Sequence, residues 1–157
     1  DLSKFVLIGA PHTSNWDFML MLAVGFVLRA KLHYLGKAEL FRSPIGFFFY
    51  WCGGTPVDRK KSTGLVEQTV NVIQNSEEFI LAISPEGTRD QVHKWKSGFY
   101  HIAKGANIPI VPAYVDGKRK VVGIGGDTFT LTGDMEVDMN NIQLYFAKFE
   151  GIKRRGS

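Results

Sequence analysis

His12 and Asp17, in the run Pro11-His12-Thr13-Ser14-Asn15-Trp16-Asp17, are a histidine and a carboxylate that one bend of the chain can bring together. Imidazole is the side chain best suited to take a proton from an alcohol near neutral pH, and a carboxylate beside it can orient it. Alone the pattern is weak: four His and eight Asp in 157 residues give ~0.2 such pairs by chance. Two further segments strengthen it. In Ser84-Pro85-Glu86-Gly87-Thr88-Arg89, Gly87 lets a ligand approach the backbone and Arg89 offers a planar fork for phosphate or carboxylate. Glu86 can accept hydrogen bonds from hydroxyls. Gly53-Gly54-Thr55-Pro56-Val57-Asp58-Arg59 ends in another arginine. Each segment also has a plainer reading: a polar loop capping a helix, a Pro-Glu-Gly turn with a surface arginine, and a basic loop.

Position separates the two kinds of reading. Residues 4–10 predict a buried strand, broken by Pro11, and Ser14 or Asn15 can cap a helix running to about residue 30. His12 then stands just before the helix and Asp17 in its first turn. Residues 78–84 predict a strand with Glu86 to Arg89 just past its end, and Arg59 follows a short extended segment at 55–58. Open α/β sheets hold ligands beyond strand ends of this kind. Other expected elements are a strand at 31–36, a short aromatic helix from Ser43-Pro44 to Trp51, and helices from 62 or 63 to 75 and at 96–105. Residues 18–28 read as a buried helix too short to cross a membrane. Four extended stretches are expected at the end: 108–114, 120–124, 127–132 and 142–149, with turns at Asp116-Gly117, Gly125-Gly126 and Gly133-Asp134. The fold class is therefore α/β: a single domain over residues 1–157, with a mixed central sheet flanked by helices and a strand-rich C-terminal part.

Composition narrows the function. Hydrophobic residues make up 45% and charged residues 22%, a globular balance. The net charge of +4 favours anionic partners without choosing among phosphates, nucleotides and acidic lipids. Cys52 is the sole cysteine, so no internal disulfide forms, which fits a reducing compartment. His33, His93 and His101 show no metal-ligand spacing, and no metal is expected. Walker and dinucleotide glycine fingerprints, a Gly-x-Ser-x-Gly elbow and nucleic-acid recognition signatures are all missing. The chain begins at Asp1 rather than Met, so an upstream segment or anchor remains open.

These residues resemble the phospholipid and glycerol acyltransferase family, which includes 1-acylglycerol-3-phosphate acyltransferases. The first family motif, His-x4-Asp with a serine two residues after the histidine, is matched by His12, Ser14 and Asp17. The second ends in an arginine implicated in acceptor-phosphate binding, matched by Arg59. The third, Pro-Glu-Gly-Thr-Arg, is matched throughout by Pro85 to Arg89. The fourth, an apolar strand bearing proline, is matched by Ile108-Pro109-Ile110-Val111-Pro112. Order and spacing agree over about residues 5–116. Pro11 stands where many members carry Asn, Asp90 where Ser or Thr is common, and Pro56 interrupts the second block. Lys94 to Phe99 looks like the short bacterial members.

The resemblance implies transfer of a fatty acyl group from acyl-CoA or acyl carrier protein to a hydroxyl of a glycerol-phosphate or lysophospholipid acceptor. His12 would be the general base and Asp17 its orienter, while Arg59, Glu86, Gly87, Thr88 and Arg89 would bind the acceptor. No cofactor is implied. The expected location is cytoplasmic, peripheral on the cytoplasmic face of a membrane, with the aromatic residues 41–51 as the contact; the plainer reading makes these aromatics core. The alternative is a non-catalytic, membrane-associated lipid-binding protein that keeps the fold.

Overall fold

The computed structural model describes residues 2–10, 23, 25–26, 31–57, 64–86 and 95–149. Within them the sheet has six strands: β1 (Lys4–Ala10), β2 (Leu32–Lys37), β3 (Gly54–Val57), β4 (Phe79–Ile83), β5 (Ile110–Asp116) and β6 (Val121–Ile124). Their order is β3-β2-β4-β1-β5-β6. The first five are mutually parallel and β6 runs antiparallel to β5, so the expected mixed sheet is observed. β1 and β4 are short, almost unbroken apolar runs, as strands covered on both faces require.

The helices are α1 (Ala38–Phe41), α2 (Gly46–Trp51), α3 (Leu65–Gln74), α4 (Gly98–Ala106) and α5 (Met135–Phe146). Helices α3, α4 and α5 pack on one face. Ile73, Phe99, Tyr100, Ile102, Ile142 and Phe146 join Val6, Ile8, Leu81 and Ile110 in a single buried cluster. The opposite face carries a smaller cluster of Leu7, Leu32, Ala82 and Val111. On this side α1 and α2 lie over β2 and β3. A Cβ on Gly36 or Gly54 would come within 2.7 or 2.6 Å of the Phe41 ring, so the two glycines make room for it. Gly53 ends α2 at φ +83, where a Cβ would strike the Leu32 carbonyl oxygen.

The C-terminal part departs from its sequence reading. Residues 142–149 were expected to be extended; residues 142–146 are instead the end of helix α5. Asp134 caps this helix, accepting from the backbone N–H of Glu136 at 3.0 Å and Val137 at 3.2 Å. Ile142 and Phe146, four residues apart, face the core. Residues 127–132 form only an isolated bridge, Phe129 to Ile110. Of the four extended stretches expected at the end, two are strands, β5 and β6, and the strand-rich C-terminal part is corrected to these two strands followed by a helix. Asp138, inside α5, pins the preceding loop: it accepts from Thr132 Oγ1 at 2.8 Å, Thr132 N at 3.1 Å and the Tyr100 hydroxyl at 3.1 Å.

Two other expectations change. The residues of the 18–28 segment that are described, Ala23, Gly25 and Phe26, are helical, but Phe26 is 85% exposed rather than buried. The aromatic segment divides into α1 and α2. Phe41 is buried and Phe49 half-buried, whereas Phe47 and Trp51 are exposed. The aromatics therefore divide between interior and surface, and the reading of the whole run as core does not hold.

Candidate active site

Because β1 to β5 are parallel, the segments that follow β1, β3 and β4 all leave from one edge of the sheet. Ile8 pairs with Ile83, Tyr34 with Ala82, and Lys37 with Val57. Counting forward along each strand puts Ala10, Pro85, Lys37 and Val57 on one level. Neighbouring strands lie about 4.8 Å apart, so β1 and β4 end side by side and β3 ends two strands beyond β4, at about 10 Å.

Strand order reverses at the β1–β4 pair. The strand that follows β1 in sequence lies on the β4 side, and the strand that follows β4 lies on the β1 side. Connections leaving adjacent strands in opposite directions open a crevice at their carboxyl ends, the usual ligand position in open α/β sheets. His12 follows Ala10 by two residues and Gly87 follows Pro85 by two. Arg59 follows Val57 by two. His12, Asp17, Arg59, Gly87, Thr88 and Arg89 themselves lie outside the described residues.

Glu86 is described and half-buried, at the turn directly after β4. Pro85 beside it is fully buried, and its carbonyl accepts from the Lys96 N–H at 2.8 Å. That bond closes the chain excursion bearing Glu86 to Arg89 and returns it toward α4. The motif therefore leaves from and comes back to a fixed point. The helix after it begins with Phe99 and Tyr100, both 1% exposed, which anchor its first turn.

Two residues at this edge were not among the sequence candidates. Lys37 ends β2 level with Val57; the expected strand stopped one residue earlier, at Gly36. Ser84 follows β4, and its hydroxyl is buried without a hydrogen-bond partner among the described residues. Nothing in the sequence distinguishes either from an ordinary polar residue. His33, by contrast, is not part of the edge. It pairs with Leu81 in mid-strand and stacks on Phe79 at 4.0 Å. Burial lowers its pKa, helped by the charge of Lys31 and opposed by backbone contacts. His101 lies exposed on α4.

Comparison with known proteins agrees with this geometry. Over 113 residues the chain is 27% identical to the 1-acyl-sn-glycerol-3-phosphate acyltransferase of Escherichia coli (strain K12), covering 68% of this chain and 44% of that protein. It thus spans less than half the length of that relative. The crystal structure of the 1-acyl-sn-glycerophosphate (LPA) acyltransferase PlsC from Thermotoga maritima superposes with a TM-score of 0.65 at 20% identity, covering 98% of this chain and 68% of that one. That similarity establishes a shared fold. The family described as Acyltransferase matches residues 3–116, from just before β1 to the last residue of β5, and so takes in every strand end at the candidate site. The chain therefore belongs to the acyltransferase family.

Proposed function

We propose that the protein is an O-acyltransferase that moves a fatty acyl group from acyl-CoA or acyl carrier protein to a hydroxyl of a glycerol-phosphate or lysophospholipid acceptor. The observation that carries this reading is where the motif segments leave the sheet, at and beside the β1–β4 reversal. The His-x4-Asp segment and the Pro-Glu-Gly-Thr-Arg segment depart from neighbouring strand ends, and the Arg59 segment departs from the same edge. We read residues 1–157 as one acyltransferase domain, working in the cytoplasm and peripherally on the cytoplasmic face of a membrane. Among the described residues no helix is long and apolar enough to cross one.

In this mechanism His12 takes the proton of the acceptor hydroxyl as its oxygen attacks the thioester carbonyl carbon. The tetrahedral intermediate collapses by breaking the C–S bond, and the imidazolium returns its proton to the departing thiolate. Asp17 holds the imidazole in the required tautomer and stabilises its charged form. Arg59 and Arg89 bind the acceptor's phosphate, and Glu86, Gly87 and Thr88 shape the site around its glycerol unit. A thioester is already activated, so the reaction is written with neither metal nor ATP.

The test is thiol release from acyl-CoA or acyl carrier protein in the presence of lysophosphatidic acid or glycerol 3-phosphate. General-base assistance is worth about 10²–10⁴ in rate, so His12→Ala should lower turnover by at least that factor with an unchanged melting temperature. Turnover that survives His12→Ala intact would overturn the mechanism. Activity should also persist in EDTA; a loss restored by a divalent cation would show that a metal takes part. The lipid-binding alternative is favoured by the exposed aromatics of α2, and vesicle binding without turnover across donors and acceptors would establish it.

A further inference from the structure

Helices α1 and α2 have an inner side that is firmly seated and an outer side that is not. Inside, Phe41 fills the space left by Gly36 and Gly54, and Tyr50 meets the Phe41 ring edge-on at 4.8 Å. The Phe49 carbonyl accepts from the Tyr34 hydroxyl at 3.3 Å, tying α2 to β2. Outside, Ile45, Phe47, Phe48, Tyr50 and Trp51 are 58%, 75%, 46%, 55% and 80% exposed. At 150–250 Å² for each aromatic side chain, these fractions amount to roughly 600 Å² of exposed, largely apolar surface within seven residues, a large area for a monomer to leave uncovered. The rings stand outward because the same short helix is fixed from behind.

The charge pattern identifies what this surface fits. From residue 40 to residue 57 the only charged side chain is Arg42, and α2 itself has none. A second copy of the chain is a poor occupant: a stable interface needs about 800 Å² per partner and several hydrogen bonds across it. The patch is smaller, and the Tyr50 hydroxyl and Trp51 indole N–H are its only side-chain hydrogen-bonding groups. A bilayer interface makes no such demand, and Trp and Tyr suit the headgroup level because one end of each ring system is polar. Helix α1 also starts one residue after Lys37, at the same sheet edge as the segments bearing His12 and Arg59.

We propose that α2 and the Ile45 before it form a membrane-insertion surface that enters the apolar part of a phospholipid bilayer, with binding driven by aromatic burial rather than by attraction to anionic lipid. The proposal rests on the acyltransferase reading for its purpose, while the surface itself stands on exposure and charge alone. Such a surface binds uncharged vesicles and is insensitive to salt. Binding through the basic clusters at residues 59–61, 118–120 and 153–155 would instead require anionic lipid and fade as salt screens it.

The experiment is co-sedimentation of the 157-residue protein with phosphatidylcholine vesicles, with and without 20% phosphatidylglycerol, at about 0.1 and 0.5 M NaCl. The protein is compared with the Phe47→Ser/Trp51→Ser double variant. The expected result is binding to pure phosphatidylcholine that changes less than about twofold with salt and falls at least tenfold in the variant. Undiminished binding by the variant would overturn the proposal. So would binding confined to phosphatidylglycerol vesicles and abolished at high salt, or a concentration-dependent dimer that the variant dissolves. Turnover of a short-chain, water-soluble donor and acceptor separates this idea from the catalytic one. The variant should retain that turnover; if neither protein turns over but vesicle binding still needs Phe47 and Trp51, the insertion surface stands and the enzymatic reading falls.

Discussion

On one face of the sheet, Phe99, Tyr100, Ile142 and Phe146 lie over Val6, Ile8, Leu81 and Ile110, and none of the eight is more than 5% exposed. On the other, whose buried cluster is much smaller, α2 holds Phe47 and Trp51 at 75% and 80% exposure. Both faces are rich in aromatics, so composition does not distinguish them. What differs is whether a second element covers the rings. The face under α3, α4 and α5 meets the usual requirement of a core, while the face under α1 and α2 leaves apolar surface to be satisfied from outside the described residues. The first face fixes the strand ends from which the motifs depart, and the second carries the surface proposed above to enter a bilayer.

The sharpest way to test this division is to damage the closed face. Phe99 is 1% exposed in the first turn of α4 and touches Trp95 edge-on at 6.5 Å. Phe99→Ala should cost about 3–5 kcal/mol, because the cavity cannot collapse between the sheet and α5. A thermal melt should fall by on the order of 10 °C. A loss below about 1 kcal/mol would mean that this face tolerates a cavity and is not the close-packed side.

The same contrast explains how much could be read in the sequence. β1 was visible because Phe5 to Ile8 form an apolar run closed by Gly9-Ala10, and its bounds match the structure. The His12 and Pro85 segments were visible because each follows such a run, whereas the Arg59 segment follows only a short extended stretch at 55–58. Their departure from one edge, two of them from neighbouring strand ends, was not visible, since it depends on the order β3-β2-β4-β1-β5-β6, and no local pattern encodes which strands become neighbours. Helix α5 was missed for a different reason. Its apolar residues Ile142, Leu144 and Phe146 alternate as a strand's would, while the helical contacts of Ile142 and Phe146 depend on tertiary packing. The signal that was present lay upstream: Asp134 as a cap with Glu136 and Asp138 in the first turn. Phe47 and Trp51 could not be told from Phe41 and Phe49 because all sit in one aromatic run, and only the seat formed by Gly36 and Gly54 selects Phe41 for the interior.

A smaller effect is expected from Asp138, which belongs to the closed face but is held by polar contacts. Burial pushes its carboxyl pKa up, and hydrogen bonds from Thr132, Tyr100 and Gly133 outweigh that and hold it below the ordinary value of 3.8. A depressed folded pKa means a contribution present in full above the unfolded value and lost as pH falls through the folded one. Asp138→Asn should therefore lower the melting temperature by about 3–6 °C at pH 7, with the gap narrowing below about pH 4. A gap that stays constant to pH 3 would show that the carboxylate charge is not what secures α5.

The smallest stability effect should come from the open face, and it is the one that best defines the comparison. Trp51 is 80% exposed, and its ring neighbour Phe48 is itself 46% exposed, with centroids 6.2 Å apart. Removing it in Trp51→Ser deletes a large aromatic that buries little in the folded chain, so the change in stability should stay within about 0.5 kcal/mol, as for ordinary surface positions. A phenylalanine on the closed face and a larger tryptophan on the open one would then differ several-fold in cost, in the reverse of their size order. Denaturant titration of Trp51→Ser and Phe99→Ala side by side checks this. A cost above about 2 kcal/mol for Trp51→Ser would mean that Trp51 is buried in solution, against another part of the protein or a second copy, and that the open face is closed after all.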